Sequence, residues 1–189
     1  MTVKVRPATL LLFLTGLAIW LLAGGVYDSV FGMGARPPVV GTEAPEFQLM
    51  DLNSQVQSLK QYRGNIVLLN FWATWCKPCT TEMPAMQAAY DRMRDQGFVV
   101  LAVNELEDIE KVTAHIRSHH HTFPVLLDTD NRVANMYGVY GLPVSVFIDR
   151  KGVVREYVKG GGLTEEIIDR VVTELQTHSL TTRPLNSVS

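Results

Sequence analysis

The 189-residue sequence predicts an α/β fold, with a central mixed β-sheet flanked by helices and a transmembrane helix at the N-terminus, on three observations. Residues 66–72 (Ile-Val-Leu-Leu-Asn-Phe-Trp) and 98–103 (Phe-Val-Val-Leu-Ala-Val) are nearly continuous in apolar and branched side chains, the pattern of strands buried on both faces. Between them Met83, Met86, Ala89 and Met93 recur at helical spacing, which makes a right-handed strand-helix-strand unit. Residues 144–148 are apolar and run into Asp149-Arg150-Lys151-Gly152, a strong turn signal, after which 153–158 return antiparallel. Finally, the charge-free run 7–27 spans about 20 residues, enough to cross a hydrocarbon core of about 30 Å as a helix.

The N-terminus sets the compartment. Lys4 and Arg6 precede the apolar run and Asp28 is the first charge after it, which places the N-terminus in the cytoplasm and the rest outside. Residues 1–28 therefore read as a single-pass membrane anchor. A cleaved signal peptide is the alternative, with Ala23-Gly24-Gly25 as small residues for a peptidase and a soluble periplasmic product. Val26, Tyr27, Val30 and Phe31 prolong the apolar flank and favour the anchor. Residues 29–44, with Gly32, Gly34, Pro37, Pro38 and Gly41, have linker character. The folded domain is expected over 45–176 and a flexible Ser/Thr/Asn-rich tail over 177–189.

Within the domain, 47–52 and 55–57 flank an Asn53-Ser54 turn and predict a small hairpin. Ser58 caps a short helical turn over 59–62, and the buried strand 66–72 follows. The next helix runs to about residue 94 or 96, where Gly97 stops it. After strand 98–103, a second helical crossover is expected over 105–119, with Ile109, Val112 and Ile116 on its apolar stripe and its acidic residues toward solvent. Strand 123–127 carries Pro124, which argues for a strand end or an edge. Asp128-Thr129-Asp130-Asn131 caps a helix over 132–137, and Gly160-Gly161-Gly162 leads to a last helix through 175.

Composition excludes several classes of function. Lys and Arg number 17 against 19 Asp and Glu, a formal net charge of -2, so there is no electrostatic footprint for nucleic acid. A hydrophobic content of 47% is that of a packed domain. His115 and His119 share a helix face and His119-His120-His121 form a short tract, but without a carboxylate pattern for a zinc site they read as solvated residues at a helix end. Neither a metal nor a cofactor is expected.

The chemistry lies in Trp75-Cys76-Lys77-Pro78-Cys79, which contains both cysteines of the protein. Ala73, Thr74 and Trp75 turn the chain out of the buried strand and leave Cys76 at the start of a helix. There, free N–H groups and the helix dipole stabilise a thiolate, so Cys76 is the more reactive thiol. Pro78 occupies the first turn, where its missing N–H costs nothing, and Lys77 adds positive charge. Cys79, one turn in, is placed to attack a mixed disulfide formed on Cys76. A structural disulfide would close too small a loop to stabilise much, and half a metal site lacks a second ligand pair.

Taken together, the sequence resembles the thioredoxin-like superfamily, and within it the exported or membrane-anchored TlpA/ResA-like thiol:disulfide oxidoreductases, with an AhpC/TSA-redoxin-type domain. The likeness rests on Phe71-Trp72-Ala73-Thr74-Trp75-Cys76-Lys77-Pro78-Cys79, Phe123-Pro124-Val125, Tyr137-Gly138-Val139 and Gly141-Leu142-Pro143 through Ile148-Asp149, in that order, and covers about residues 43–176. It implies a thioredoxin-like fold, Cys76 as attacking thiol, Cys79 as resolving thiol and a redox-active Cys76–Cys79 disulfide. It also implies Pro143 as a cis proline beside the dithiol, with Leu142 offering backbone to an extended substrate. Asn70 stands where cytoplasmic thioredoxins carry a buried aspartate, and Glu82 matches the glutamate that envelope members use instead. The expected activity is reduction of disulfides in envelope proteins, including those of cytochrome c maturation, by a monomer recharged by a membrane electron-donor protein. A disulfide-donating oxidase, a thiol peroxidase, and a non-enzymatic partner in haem- or metallo-protein assembly are the alternatives.

Overall fold

The computed structural model describes residues 37–181, with side chains to Thr177. The expected membrane segment, residues 29–36 of the linker and the tail beyond 181 lie outside the described residues, and no described helix is long and apolar enough to cross a membrane. Seven strands form one mixed sheet: β1 (Gln48–Asp51), β2 (Val56–Ser58), β3 (Ile66–Trp72), β4 (Phe98–Glu105), β5 (Val125–Asp128), β6 (Val144–Ile148) and β7 (Val154–Lys159), in the order β2-β1-β5-β4-β3-β6-β7. β3, β4 and β5 run parallel, while the hairpin β1–β2 and the pair β6–β7 extend the sheet antiparallel on either side.

The helices are α1 (Lys77–Met93), α2 (Ile109–Ser118), α3 (Arg132–Met136) and α4 (Glu165–Thr181). Period-two alternation divides β3 between two cores, and every residue of the strand is buried. Ile66, Leu68 and Trp72 face Met83 and Met86 of α1, Val112 and Ile116 of α2, and Ile168 and Val172 of α4. Val67, Leu69 and Phe71 pack instead with Leu59, Val133 and Tyr137. Consecutive parallel crossovers through α1 and α2 put both helices on one face, and the carboxyl ends of β3 and β4 open side by side.

Several boundaries differ from expectation for identifiable reasons. The second crossover helix begins at Ile109, not at 105, because Glu105 stays in β4 opposite Asp128 and Leu106 takes a left-handed φ of 58°. Glu105 and Glu107, expected on a solvated helix face, are both buried. Pro124 precedes β5, at the strand end, yet β5 is interior because β1 pairs with its free side. The last helix continues past residue 175 to Thr181, so residues 177–181 are helical where a flexible tail was expected. Residues 41–44 follow the strand after the Asp149 turn, with Gly41 N–H donating to Val154 O and Ala44 N–H to Gly152 O. In that turn Gly152 has φ +84°, and the Arg63 guanidinium fills the space a Cβ would need.

The cap of α3 is supplied by Asp128, whose two oxygens accept the N–H groups of Val133 and Ala134 at 3.1 and 2.7 Å. Of the histidines, His119 and His120 are exposed as expected, whereas His115 and His121 are half-buried. His115 packs on the Trp72 ring at 5.3 Å between centroids and stacks on His119 at 4.2 Å, and His121 stacks on Phe123 at 5.2 Å. Burial is the leading cause that depresses both His115 and His121, the latter to about 4, so the column is uncharged at neutral pH in these two rings.

Candidate active site

β3 delivers the dithiol. After Trp72 the turn closes with a bond from Cys76 N–H to Ala73 O at 3.1 Å, and Cys76 is the N-cap of α1. Its sulfur accepts the Cys79 N–H at 3.3 Å, one of the donors that the first helical turn leaves without a backbone partner. Cys76 and Cys79 are joined as a disulfide, with their Cα atoms 5.3 Å apart. Cys76 is 4% exposed and Cys79 1%. Around them Lys77 and Pro78 are exposed, and Trp75 stands 70% exposed as an apolar side chain beside the disulfide.

The Leu142–Pro143 peptide is cis, as the resemblance implies. Pro143 O accepts Gly160 N–H at 2.9 Å, which ties this loop to the glycine run between β7 and α4. That run also approaches the dithiol: a Cβ on Gly161 would lie 2.9 Å from Pro78 Cβ. An open depression of ≈ 300 Å³ beside it is lined by Tyr140, Leu142, Val144, Lys159 and Gly160 among others, and Tyr140 is 84% exposed at its rim.

Glu82 is anchored by the same glycine run. One turn beyond Cys79 and 4% exposed, it accepts Gly162 N–H at 2.6 Å and Leu163 N–H at 2.9 Å, both on Oε1. Its Oε2 is buried with no hydrogen-bond partner. Burial raises its carboxyl above the ordinary glutamate value, and the two N–H groups oppose this only in part. Asn70, buried in β3, donates from Nδ2 to Ser145 Oγ at 2.9 Å across the β3–β6 pair.

The structure therefore assembles Cys76, Cys79, Lys77, Pro78 and Glu82 on the first turns of α1, with Leu142 and Pro143 linked to them through residues 160–163. Glu107 escaped the reading of the sequence. Its carboxylate accepts the Thr74 N–H and hydroxyl, each at 2.6 Å, the Asn104 amide at 2.9 Å and the Lys111 ammonium at 2.6 Å. Burial would raise its pKa, but these donors outweigh it and hold the group down at about 2. A polar residue just past the carboxyl end of a parallel strand, next to the strand carrying the site, was the available signal. Among the described residues no group of three or more His, Cys, Asp or Glu is arranged to hold a metal ion.

Comparison with known proteins agrees with this geometry. Residues 40–157 match the AhpC/TSA family. The chain is 42% identical over 131 residues to the thiol-disulfide oxidoreductase ResA of Geobacillus kaustophilus, covering 69% of this chain and 75% of that one. It is 38% identical over 162 residues to ResA of Geobacillus thermodenitrificans, covering 86% and 90% respectively. Among solved structures, a thiol:disulfide interchange protein of the thioredoxin family from Chlorobium tepidum superposes with a TM-score of 0.65 at 27% identity, covering 75% of this chain and 97% of that one.

Proposed function

Because the chain belongs to the AhpC/TSA family, and within it to the ResA-type thiol-disulfide oxidoreductases, we propose that its Cys76–Cys79 pair works in the reducing direction on disulfides of extracytoplasmic proteins. The observation that carries this reading is the dithiol at the N-terminus of α1, with the Cys76 sulfur against a free helix N–H. In the reduced enzyme the Cys76 thiolate attacks one sulfur of the substrate disulfide, and the other sulfur leaves as a thiol once protonated. Cys79 then gives up its proton, attacks the Cys76 sulfur and releases the second substrate thiol. Two electrons have passed to substrate, and the enzyme is left as the disulfide seen here.

Glu82 is the proposed acceptor of the Cys79 proton. Its raised carboxyl has one buried oxygen free of partners, and a carboxylate one helical turn from the resolving thiol suits proton exchange. Leu142 and Pro143 are the proposed ledge for an extended substrate, with Trp75 as an apolar contact. The apolar residues 7–27, flanked by Lys4 and Arg6, support a single-pass anchor with the catalytic domain outside the cytoplasm, recharged by a membrane electron-donor protein. Apocytochrome c is the proposed substrate class within the envelope.

The reduction potential tests the direction. A value toward about -270 mV, the thioredoxin range, supports a reductase, whereas one near about -120 mV would make the protein a disulfide donor. Capturing partners on Cys76 in a Cys79→Ala variant within the native envelope tests the substrate: apocytochrome c in the mixed disulfide supports maturation, and its absence among captured proteins removes that assignment.

A further inference from the structure

The turn that presents Cys76 is held from a neighbouring strand. β3 and β4 run parallel with Trp72 beside Asn104, so the turn 73–75 and the segment 106–108 leave the sheet next to each other. Leu106 adopts φ 58°, which a branched L-residue enters only at a cost, and its own side chain is 63% exposed and gains no burial there. The twist turns Glu107 inward, and its side chain is only 4% exposed. Both oxygens of the carboxylate engage Thr74, one through the backbone N–H and one through the hydroxyl, each at 2.6 Å. Asn104 at 2.9 Å and Lys111 at 2.6 Å complete the donor set, and His115 of α2 also faces it.

We propose that Glu107 is a positioning residue for thiol–disulfide exchange: by gripping Thr74 at two points it keeps Cys76 at the N-cap of α1, with its sulfur against the Cys79 N–H. This rests on the reading of Cys76 as the attacking thiol. Glu107 touches neither sulfur and acts through Thr74. Its effect belongs to the reduced enzyme. In the oxidised form the covalent bond to Cys79 already fixes Cys76. Once that bond is broken, Cys76 keeps its helical bond from Thr80 N–H to its O and its own N–H bond to Ala73 O, and the turn before it is anchored to the neighbouring strand by the grip of Glu107 on Thr74. The grip is thus needed when Cys76 must attack in line.

The test uses the full-length reduced chain and compares wild type with Glu107→Gln, Thr74→Val and Thr74→Ser. Glutamine keeps the volume of Glu107 but cannot accept on both arms, valine removes only the Thr74 hydroxyl, and serine retains it. Attack on a peptide disulfide should slow about tenfold or more in E107Q, within the roughly hundredfold that a displacement of about 1 Å can cost. In a Cys79→Ala background, alkylation of Cys76 by iodoacetamide should shift to higher pH in E107Q and T74V, while T74S stays at wild type. Combining E107Q with T74V should cost less than the sum of the two, since they break the same contact.

Wild-type rates and an unshifted alkylation profile in E107Q would overturn the proposal. So would a shift to lower pH with faster attack, which would mean that the carboxylate acts by its charge and not by its grip. Equal losses of thermal stability in oxidised and reduced forms, without kinetic change, would also overturn it by reducing Glu107 to a structural residue. Should E107Q fail to fold, the T74V and T74S pair decides the same point. Failure of the underlying reading looks different, because Cys76→Ser would then attack the peptide disulfide as fast as wild type.

Discussion

Replacing Glu82 with glutamine removes its charge and keeps its shape. The amide oxygen can take over the Gly162 and Leu163 N–H groups now on Oε1, and the amide nitrogen falls where Oε2 lacks a partner. Stability should therefore stay within about 1 kcal/mol of wild type, and alanine makes the contrast: it strands the buried Leu163 N–H at a cost of about 1–3 kcal/mol, while the exposed Gly162 N–H rehydrates. At about 2–4 °C per kcal/mol for a domain of this size, E82A should melt roughly 2–12 °C low and E82Q within about 4 °C of wild type. The pH dependence has a defined sign. Burial raises the Glu82 carboxyl above 4.5, so its contribution to stability is complete below pH 4.5 and is lost as pH rises through the raised value. E82Q lacks that loss. If Glu82 takes the Cys79 proton, its removal should slow resolution of the mixed disulfide about 10²-fold or more, with the first attack unchanged. Rapid acid quenching followed by mass analysis of the enzyme–peptide adduct, over a range of pH, separates the two steps. E82Q that resolves the adduct at the wild-type rate at every pH would refute the reasoning and leave Glu82 as an anchor for residues 162–163.

Three further outcomes can be measured. Cys79→Ala should accumulate a mixed disulfide with a peptide substrate and Cys76→Ser should form none; an adduct of wild-type yield in Cys76→Ser would reverse the assignment of the nucleophile. Burial, followed by repulsion from Asp128, pushes Glu105 up to about 7, so its contribution is complete below pH 4.5 and lost as pH rises through about 7. Urea unfolding should accordingly show E105Q free of that decline, a difference of at most about 3 kcal/mol, and parallel pH profiles for the two proteins would sink the argument. Tyr137→Phe removes the hydroxyl that donates to Pro45 O at 2.7 Å and should cost about 1 kcal/mol in the same assay, without altering exchange kinetics; a kinetic defect would show that Tyr137 reaches the site.

Much of the catalytic element was legible because its signals are local. The apolar run of β3, the proline in the first turn of α1 and the spacing of Cys76 and Cys79 lie within a few residues of one another. Where contacts join distant segments, the reading went astray. Glu105 and Glu107 have the composition of a helix start, and nothing nearby in the chain shows that Asp128 lies beside the first or that Thr74 grips the second. His115 reads as solvated until the Trp72 ring is found against it. The end of α4 was misplaced because the chain after Leu175 turns polar while its backbone stays helical to Thr181.

The amino-acid sequence by itself determined the strand-helix-strand unit and the identity of the two thiols, because burial on both faces, helical period and cysteine spacing are written along a single stretch of chain. Only the tertiary structure decided what surrounds them. Gly162 and Leu163 meet Glu82 from 80 and 81 residues away, and Glu107 meets Thr74 from 33. These pairings depend on how the sheet orders its strands and where its loops emerge, and hydrogen bonds between remote segments leave no periodicity in the sequence from which they could be read.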